Sequence, residues 1–267
     1  MNLSISLSLG STHSAGFNPA AALFGAGEQG YWLDPSDFST MFQDTARATP
    51  VTAVGQSVRL MLDKSGRGNT FTQANTANAP ILRQDASGRY FLLFDGVDDW
   101  LRSANTINPG AVDKAQVFAG VRKLSTGLGV ITEASADTAN NNGTFGLLTQ
   151  NGTAYQYAFG SRGSVASSAF TNDPSFAAPV TTVLTGTADI SGNVVRLRAN
   201  GSQVAQATSG QGTGNYLTYT HFIGRRGGTS LPFNGRLYQL IARYGANLSA
   251  GQITQTETFV NARTGAF

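Results

Sequence analysis

The chain opens on a strict alternation in which Leu3, Ile5, Leu7 and Leu9 are separated by Ser4, Ser6 and Ser8. A period of two puts the four apolar side chains on one face of an extended strand. Such a strand needs a partner for its backbone amides and carbonyls, in its own sheet or on a neighbouring chain. After a Gly/Ser/His stretch, Asn18-Pro19-Ala20-Ala21-Ala22-Leu23-Phe24-Gly25 predicts one short helix. Asn18 caps it, Pro19 suits the first turn, and Gly25 or Gly27 ends it.

From Tyr31 onward, short apolar runs alternate with dense turn signals. Asp34-Pro35-Ser36-Asp37 predicts a turn that caps a short helical stretch through Phe42. Strands are predicted over 58–62, 90–94, 117–121, 144–148, 155–159, 182–187, 194–199, 203–207, 221–224 and 236–244. Asp63-Lys64-Ser65-Gly66-Arg67-Gly68-Asn69 and Asp95-Gly96 close two of them, while Asn151-Gly152, Ser191-Gly192-Asn193 and Asn200-Gly201 are hairpin signals. Many short strands at this spacing describe a β-sandwich. The pattern changes only at the end. There Ser249 caps a helix carrying Ile253, Thr256, Phe259 and Val260 on one face, and Gly265 stops it. There is no repeat, and the one linker is the region around Gly25–Gly30, so residues 1–30 read as an arm and 31–267 as one domain.

Composition sharpens this picture. Charged residues make up only 12% and glycines number 32, a profile that suits tight turns between strands and leaves little material for long helices. A mean hydropathy of −0.12 is ample for a packed core. The net charge of +3 rests on 18 scattered cations against 15 acids, without the basic stripe of a nucleic-acid protein. With no cysteine, disulfides, thiolate metal sites and cysteine nucleophiles are excluded, and synthesis inside a cell is favoured. No apolar run approaches the ~18 residues that membrane insertion requires. MNLSISLSLG lacks the basic start of a signal peptide.

Several segments, in order, resemble the laminin-G-like/concanavalin A-like jelly-roll superfamily. They are Asp63–Asn69, Phe94-Asp95-Gly96-Val97-Asp98-Asp99-Trp100-Leu101, Val195-Arg196-Leu197-Arg198-Ala199-Asn200-Gly201, Ile223-Gly224, Pro232-Phe233-Asn234-Gly235-Arg236-Leu237 and the Leu248-Ser249 helix start. The ordered set implies an all-β concanavalin/laminin-G-like jelly-roll sandwich with a short N-terminal arm and a C-terminal helix. The phrases LDPSDFSTMFQD, TPVTAVGQSVRLMLDKSGRGN and IGRRGGTSLPFNGRLY, with the Ser/Leu start, look like virion-associated proteins of tailed bacteriophages. That resemblance implies a virion structural protein made in the host cytoplasm. It would be a tail-fibre or tail-appendage component, with a capsid decoration protein or a glycan-binding adhesin as the alternatives.

The chemistry that the residues offer is sparse. A glycosidase on this fold needs paired carboxylates, yet the glutamates are only Glu28, Glu133 and Glu257, and Asp137 does not complete a strand face with Glu133. There is no Gly-x-Ser-x-Gly elbow, and the histidines are only His13 and His221. The expectation is therefore no enzyme, no cofactor and no metal. Asp95, Asp98 and Asp99 form the best acidic cluster, read as a turn. Arg225-Arg226-Gly227-Gly228 reads as a solvated loop. The expected docking residues are Leu3, Ile5, Leu7, Leu9, Leu23 and Phe24, which would bury in a neighbouring chain. Partners would be other virion proteins of tail or capsid, further copies of the chain and a host surface glycan, without nucleic acid. Candidate glycan contacts are Tyr155, Tyr157, Tyr216, Tyr219 and His221, since tyrosine offers a flat apolar face and a hydroxyl. The bland alternative for these tyrosines is core packing.

Overall fold

A computed structural model describes residues 16–149 and 157–267. In chain order, the first strands are β1 (Gln29–Leu33), β2 (Met41–Phe42), β3 (Leu60–Met61), β4 (Phe71–Thr72), β5 (Ile81–Gln84) and β6 (Tyr90–Asp95). They are followed by β7 (Leu101–Ser103), β8 (Lys114–Lys123), β9 (Gly129–Glu133), β10 (Thr144–Thr149), β11 (Tyr157–Arg162) and β12 (Ala166–Thr171). The last five are β13 (Val180–Asp189), β14 (Val194–Ala199), β15 (Ser202–Ala207), β16 (Phe222–Ile223) and β17 (Asn234–Tyr244). Helices α1 (Pro19–Phe24) and α2 (Ala250–Thr264) stand before and after them.

The strands form two antiparallel sheets. One runs β15-β14-β13-β8-β17-β6-β5, with β1 also paired to β17; the other runs β12-β11-β10-β9-β16-β7-β4-β3-β2. Their inner faces bury Tyr31, Phe94, Phe145, Leu147, Leu184 and Leu240, among others, in one continuous core. Each such side chain contributes about 1.5–3 kcal/mol of burial. The result is an all-β sandwich of two sheets with a C-terminal helix.

Among the described residues, neither flank presents a long free edge. On one side β12 and β15 run alongside each other, and Ser167 Oγ lies 3.0 Å from Ser209 Oγ. On the other, residues 55–58 pair with β5 through bonds such as Gly55 N to Leu82 O at 2.8 Å. Covered edges protect a sandwich against unwanted strand pairing.

Several local signals appear as read. Asn200 and Gly201 take φ of 49° and 79° in the hairpin between β14 and β15, the backbone that a primed turn demands. In α2, the Ser249 side chain accepts from Gln252 N, the Gln252 side chain answers the Ser249 amide, and Gly265 ends the helix at φ 66°. Asp37 caps a single 3-10 turn (Phe38–Thr40), after which the chain enters β2 where a helix was expected to run on to Phe42.

The arm requires a correction. Leu3, Ile5, Leu7 and Leu9 lie outside the described residues. Leu23 and Phe24, expected to bury in a neighbouring chain, are fully buried in this one. With Trp32, Phe118, Val183, Ile241 and Val260 they form a second core between α1, α2 and the outer face of the eight-stranded sheet. Arg243 fixes this arrangement. Its Nε donates to Leu23 O at 2.6 Å and its Nη2 to Glu28 at 2.9 Å. Two large apolar side chains beside β1 find this surface within a few residues, so they need no second chain to leave water.

Candidate functional site

The outer faces of the two sheets differ in kind. Helix α2 packs on β8, β13 and β17, and α1 on β1, which covers the eight-stranded sheet. Among the described residues, nothing comparable lies over β10, β11 and β12. Along these strands Phe145, Leu147, Phe159 and Ala169 point inward, so Gly146, Leu148, Gly160 and Ser168 face out by strand parity. They line a groove of about 280 Å³ whose wall includes Thr138 and Arg226. A Cβ on Gly160 would meet Ser168 Oγ at 3.0 Å, and one on Gly146 would meet Thr138 Oγ1 at 3.4 Å. Gly146 and Gly160 therefore keep the floor low between the side chains of Thr138, Leu148 and Ser168.

At the groove wall sits a buried ion pair. Glu133 on β9 stands opposite Gly146 on β10, one residue before the register between these strands shifts at Leu147/Leu148. Arg226 Nε lies 3.1 and 3.0 Å from the two Glu133 oxygens, and the Thr138 amide also donates to this carboxylate. Arg226 Nη2 reaches Thr138 Oγ1 at 3.0 Å. Burial pushes the Glu133 carboxyl up, while the Thr138 amide and the Arg226 guanidinium oppose that shift. The sequence reading of Arg225-Arg226-Gly227-Gly228 as a solvated loop is thus corrected: Arg226 is drawn inward by a buried carboxylate. Gly228 is required at its place, since a Cβ there would stand 2.7 Å from the Trp100 ring.

The described tyrosines expected to meet a glycan do not line this groove. Tyr155 lies outside the described residues. Tyr157 is fully buried beneath Lys123, whose Nζ is 4.5 Å from its ring centroid. Tyr216 is buried with its hydroxyl 2.7 Å from Ser161 Oγ. His221 is also fully buried, its Nε2 3.0 Å from the Tyr244 hydroxyl, and burial pushes its pKa down to about 3. These three are corrected to core residues. A sandwich interior takes tyrosines when serine and threonine hydroxyls satisfy theirs. Among the described candidates, Tyr219 alone stays partly exposed, donating to Asn142 O at 2.9 Å.

The acidic cluster closes a turn. Asp95 Oδ1 accepts from the amides of Val97 and Asp98, and Asp99 Oδ2 from that of Asp95. Asp95, Asp98 and Asp99 bring oxygens within 4.8 Å of one another. Burial, with the Asp95 and Asp98 charges, pushes Asp99 up to about 6 against the Asp95 amide.

No protein-family model matches the sequence, and no curated protein matches it. Among solved structures, the fold is similar to the receptor-binding domain of botulinum neurotoxin D, with a TM-score of 0.56 at 12% identity over 86% of this chain and 52% of that one. A botulinum neurotoxin serotype D ligand-binding domain in complex with N-acetylneuraminic acid gives 0.56 at 13% identity, over 91% and 53%. A botulinum neurotoxin type C structure, described through its interaction with two ganglioside molecules, gives 0.55 at 11% identity, over 87% and 51%. The chain spans about half the length of these structures. At such identities the likeness establishes the lectin-like jelly-roll fold and nothing further.

Proposed function

We propose that this chain is a non-catalytic binding module of a tailed-phage particle, engaging a surface glycan through the uncovered face of the nine-stranded sheet. The observation that carries this reading is the asymmetry of the sandwich. One outer face is sealed by helices, and the other bears a glycine-floored groove beside a fixed arginine. A low floor with hydroxyl and guanidinium groups at its edge suits a sugar ring, which offers an apolar face and many hydroxyls. The fold likeness to proteins described with N-acetylneuraminic acid and gangliosides supports the ligand class. The phage-like segments support the particle, with a tail appendage ahead of a capsid decoration.

Binding without catalysis is favoured by the state of Glu133. Hydrolysis of a glycoside needs two free carboxyl groups across the sugar bond, and Glu133 is committed to Arg226 and Thr138. Attachment to the particle falls to residues 1–15, since the helix that follows is bound within the chain.

A glycan array probed with the whole chain tests the reading. We expect saturable binding that Gly146→Val and Gly160→Val abolish at an unchanged melting temperature. A flat array, or binding indifferent to both substitutions, overturns the glycan site. Deletion of 1–15 tests attachment separately: normal incorporation of the truncated chain into particles would refute that part alone.

A further inference from the structure

On the opposite face, α2 leaves a recess of about 250 Å³ at its N-terminal end, above strands β8, β13 and β14. Gln116, Thr187, Arg196, Arg198, Gln203 and Ala250 are among its lining residues. Gln116 is 1% exposed, and its Oε1 accepts from Arg243 Nη1 at 2.6 Å. That bond fixes the amide and leaves Nε2 buried without a partner. An orphaned buried donor costs about 1–3 kcal/mol and is uncommon without a reason.

The charges around the recess are unequally compensated. Arg198 is neutralised by Glu257 at 2.7 Å. Asp189, bonded to the lining residue Asn247, is taken up by Lys114 at 3.3 Å. Arg196 forms no ion pair among the described residues, and its Nε is placed by Gln206 at 2.8 Å. The capping box of α2 satisfies the amides of Ser249 and Gln252, while those of Ala250 and Gly251 have no partner among the described residues. A helix N-terminus favours negative charge.

We infer that this recess binds a small oxyanion, a carboxylate or phosphate group, between Gln116 Nε2, the Arg196 guanidinium and the first turn of α2. Gln116, Arg196 and Ala250 all line the recess, and the guanidinium fork matches either group. The volume lies just below that of ordinary small-molecule sites, enough for the anion and a compact body attached to it. The site is independent of the glycan groove, which lies on the other sheet.

Isothermal titration of the full chain with inorganic phosphate and with glucuronate, at ionic strength held by chloride, tests the inference. We expect saturable binding of at least one probe. A response to phosphate alone assigns a phosphoryl group and a response to glucuronate alone a sugar acid; either supports the site. Gln116→Glu keeps the acceptor for Arg243 but turns the free donor into a carboxylate oxygen, so affinity should fall at least about tenfold in a folded protein. Arg196→Gln should weaken binding similarly. Absence of saturable binding by both probes, or affinity unchanged in both variants, overturns the inference. Val97→Ser, at an exposed turn position outside both sites, serves as the control that leaves this response intact.

Discussion

Arg226 Nε lies 3.0 Å from Glu133 Oε2, tying the 225–230 loop to β9 across 93 residues of sequence. The glutamate is fully buried, so the pair stands or falls together. Removing the cation leaves an uncompensated buried charge, whereas removing both leaves none. Arg226→Met should cost about 3–5 kcal/mol in urea unfolding. Arg226→Met with Glu133→Leu should recover much of that loss. Equal destabilisation of the single and double variants would show that the loop is held by other contacts.

His221 makes stability depend on acid. Its folded pKa of about 3 lies below the usual histidine value, so between about 6.5 and 3 the unfolded chain binds more protons than the folded one. Its contribution is complete above about pH 6.5 and is lost as pH falls toward 3, on the order of a few kcal/mol. His221→Phe paired with Tyr244→Phe should flatten the pH dependence of the unfolding free energy in that window. An unchanged slope would place the acid sensitivity elsewhere.

Lys123 ends β8 with its side chain inside the sandwich, where burial pushes its pKa down to about 8. At neutral pH the buried ammonium costs stability and is only partly offset by the Tyr157 ring. Lys123→Met should therefore stabilise the protein by about 1–2 kcal/mol at pH 7. That advantage should shrink as pH rises from about 8 to 10.5, because the wild-type amine becomes neutral when folded before it does so unfolded. Urea titrations of both proteins at pH 7 and 10 measure this, and a gain that persists at pH 10 would argue against the buried charge.

At Gly186 the two sheets approach each other closely. A Cβ there would sit 2.3 Å from the Phe159 ring. Gly186→Ala should destabilise by about 1–3 kcal/mol through overpacking, and Phe159→Leu in the same chain should relieve part of the loss. Thermal melts of the three variants provide the measurement, and additive losses would exclude a clash between these positions.

How much of this was legible depended on the range of the interaction. Asn18, Ser249, Asn200-Gly201 and Gly265 act on neighbours a few residues away, and each stands where its residue type placed it. Strand β12 escaped sequence analysis because Ala-Ser-Ser-Ala-Phe-Thr has small side chains and a weak apolar alternation. Strand β1 escaped because it follows Gly25 and Gly27, which read as a boundary. The side chains of Asp63 and Asn69 hold its Trp32 amide and Gly30 carbonyl across more than 30 residues.

The groove and the recess were less legible still. Nothing local distinguishes Gly146 and Gly160, which floor a groove, from other glycines. Tyr157, Tyr216 and His221 carry the chemistry of a binding residue and occupy the core.

The sequence alone determined an all-β chain, its turns, its helix caps and its lack of paired acids, because these follow from residue type and short-range backbone preference. Tertiary structure decided which tyrosines face inward, which sheet face stays open and which side chains lose their water. Those outcomes depend on strands far apart in the chain meeting in space: Glu133 on β9 needs Arg226, and the free amide of Gln116 exists only because Arg243 takes its oxygen.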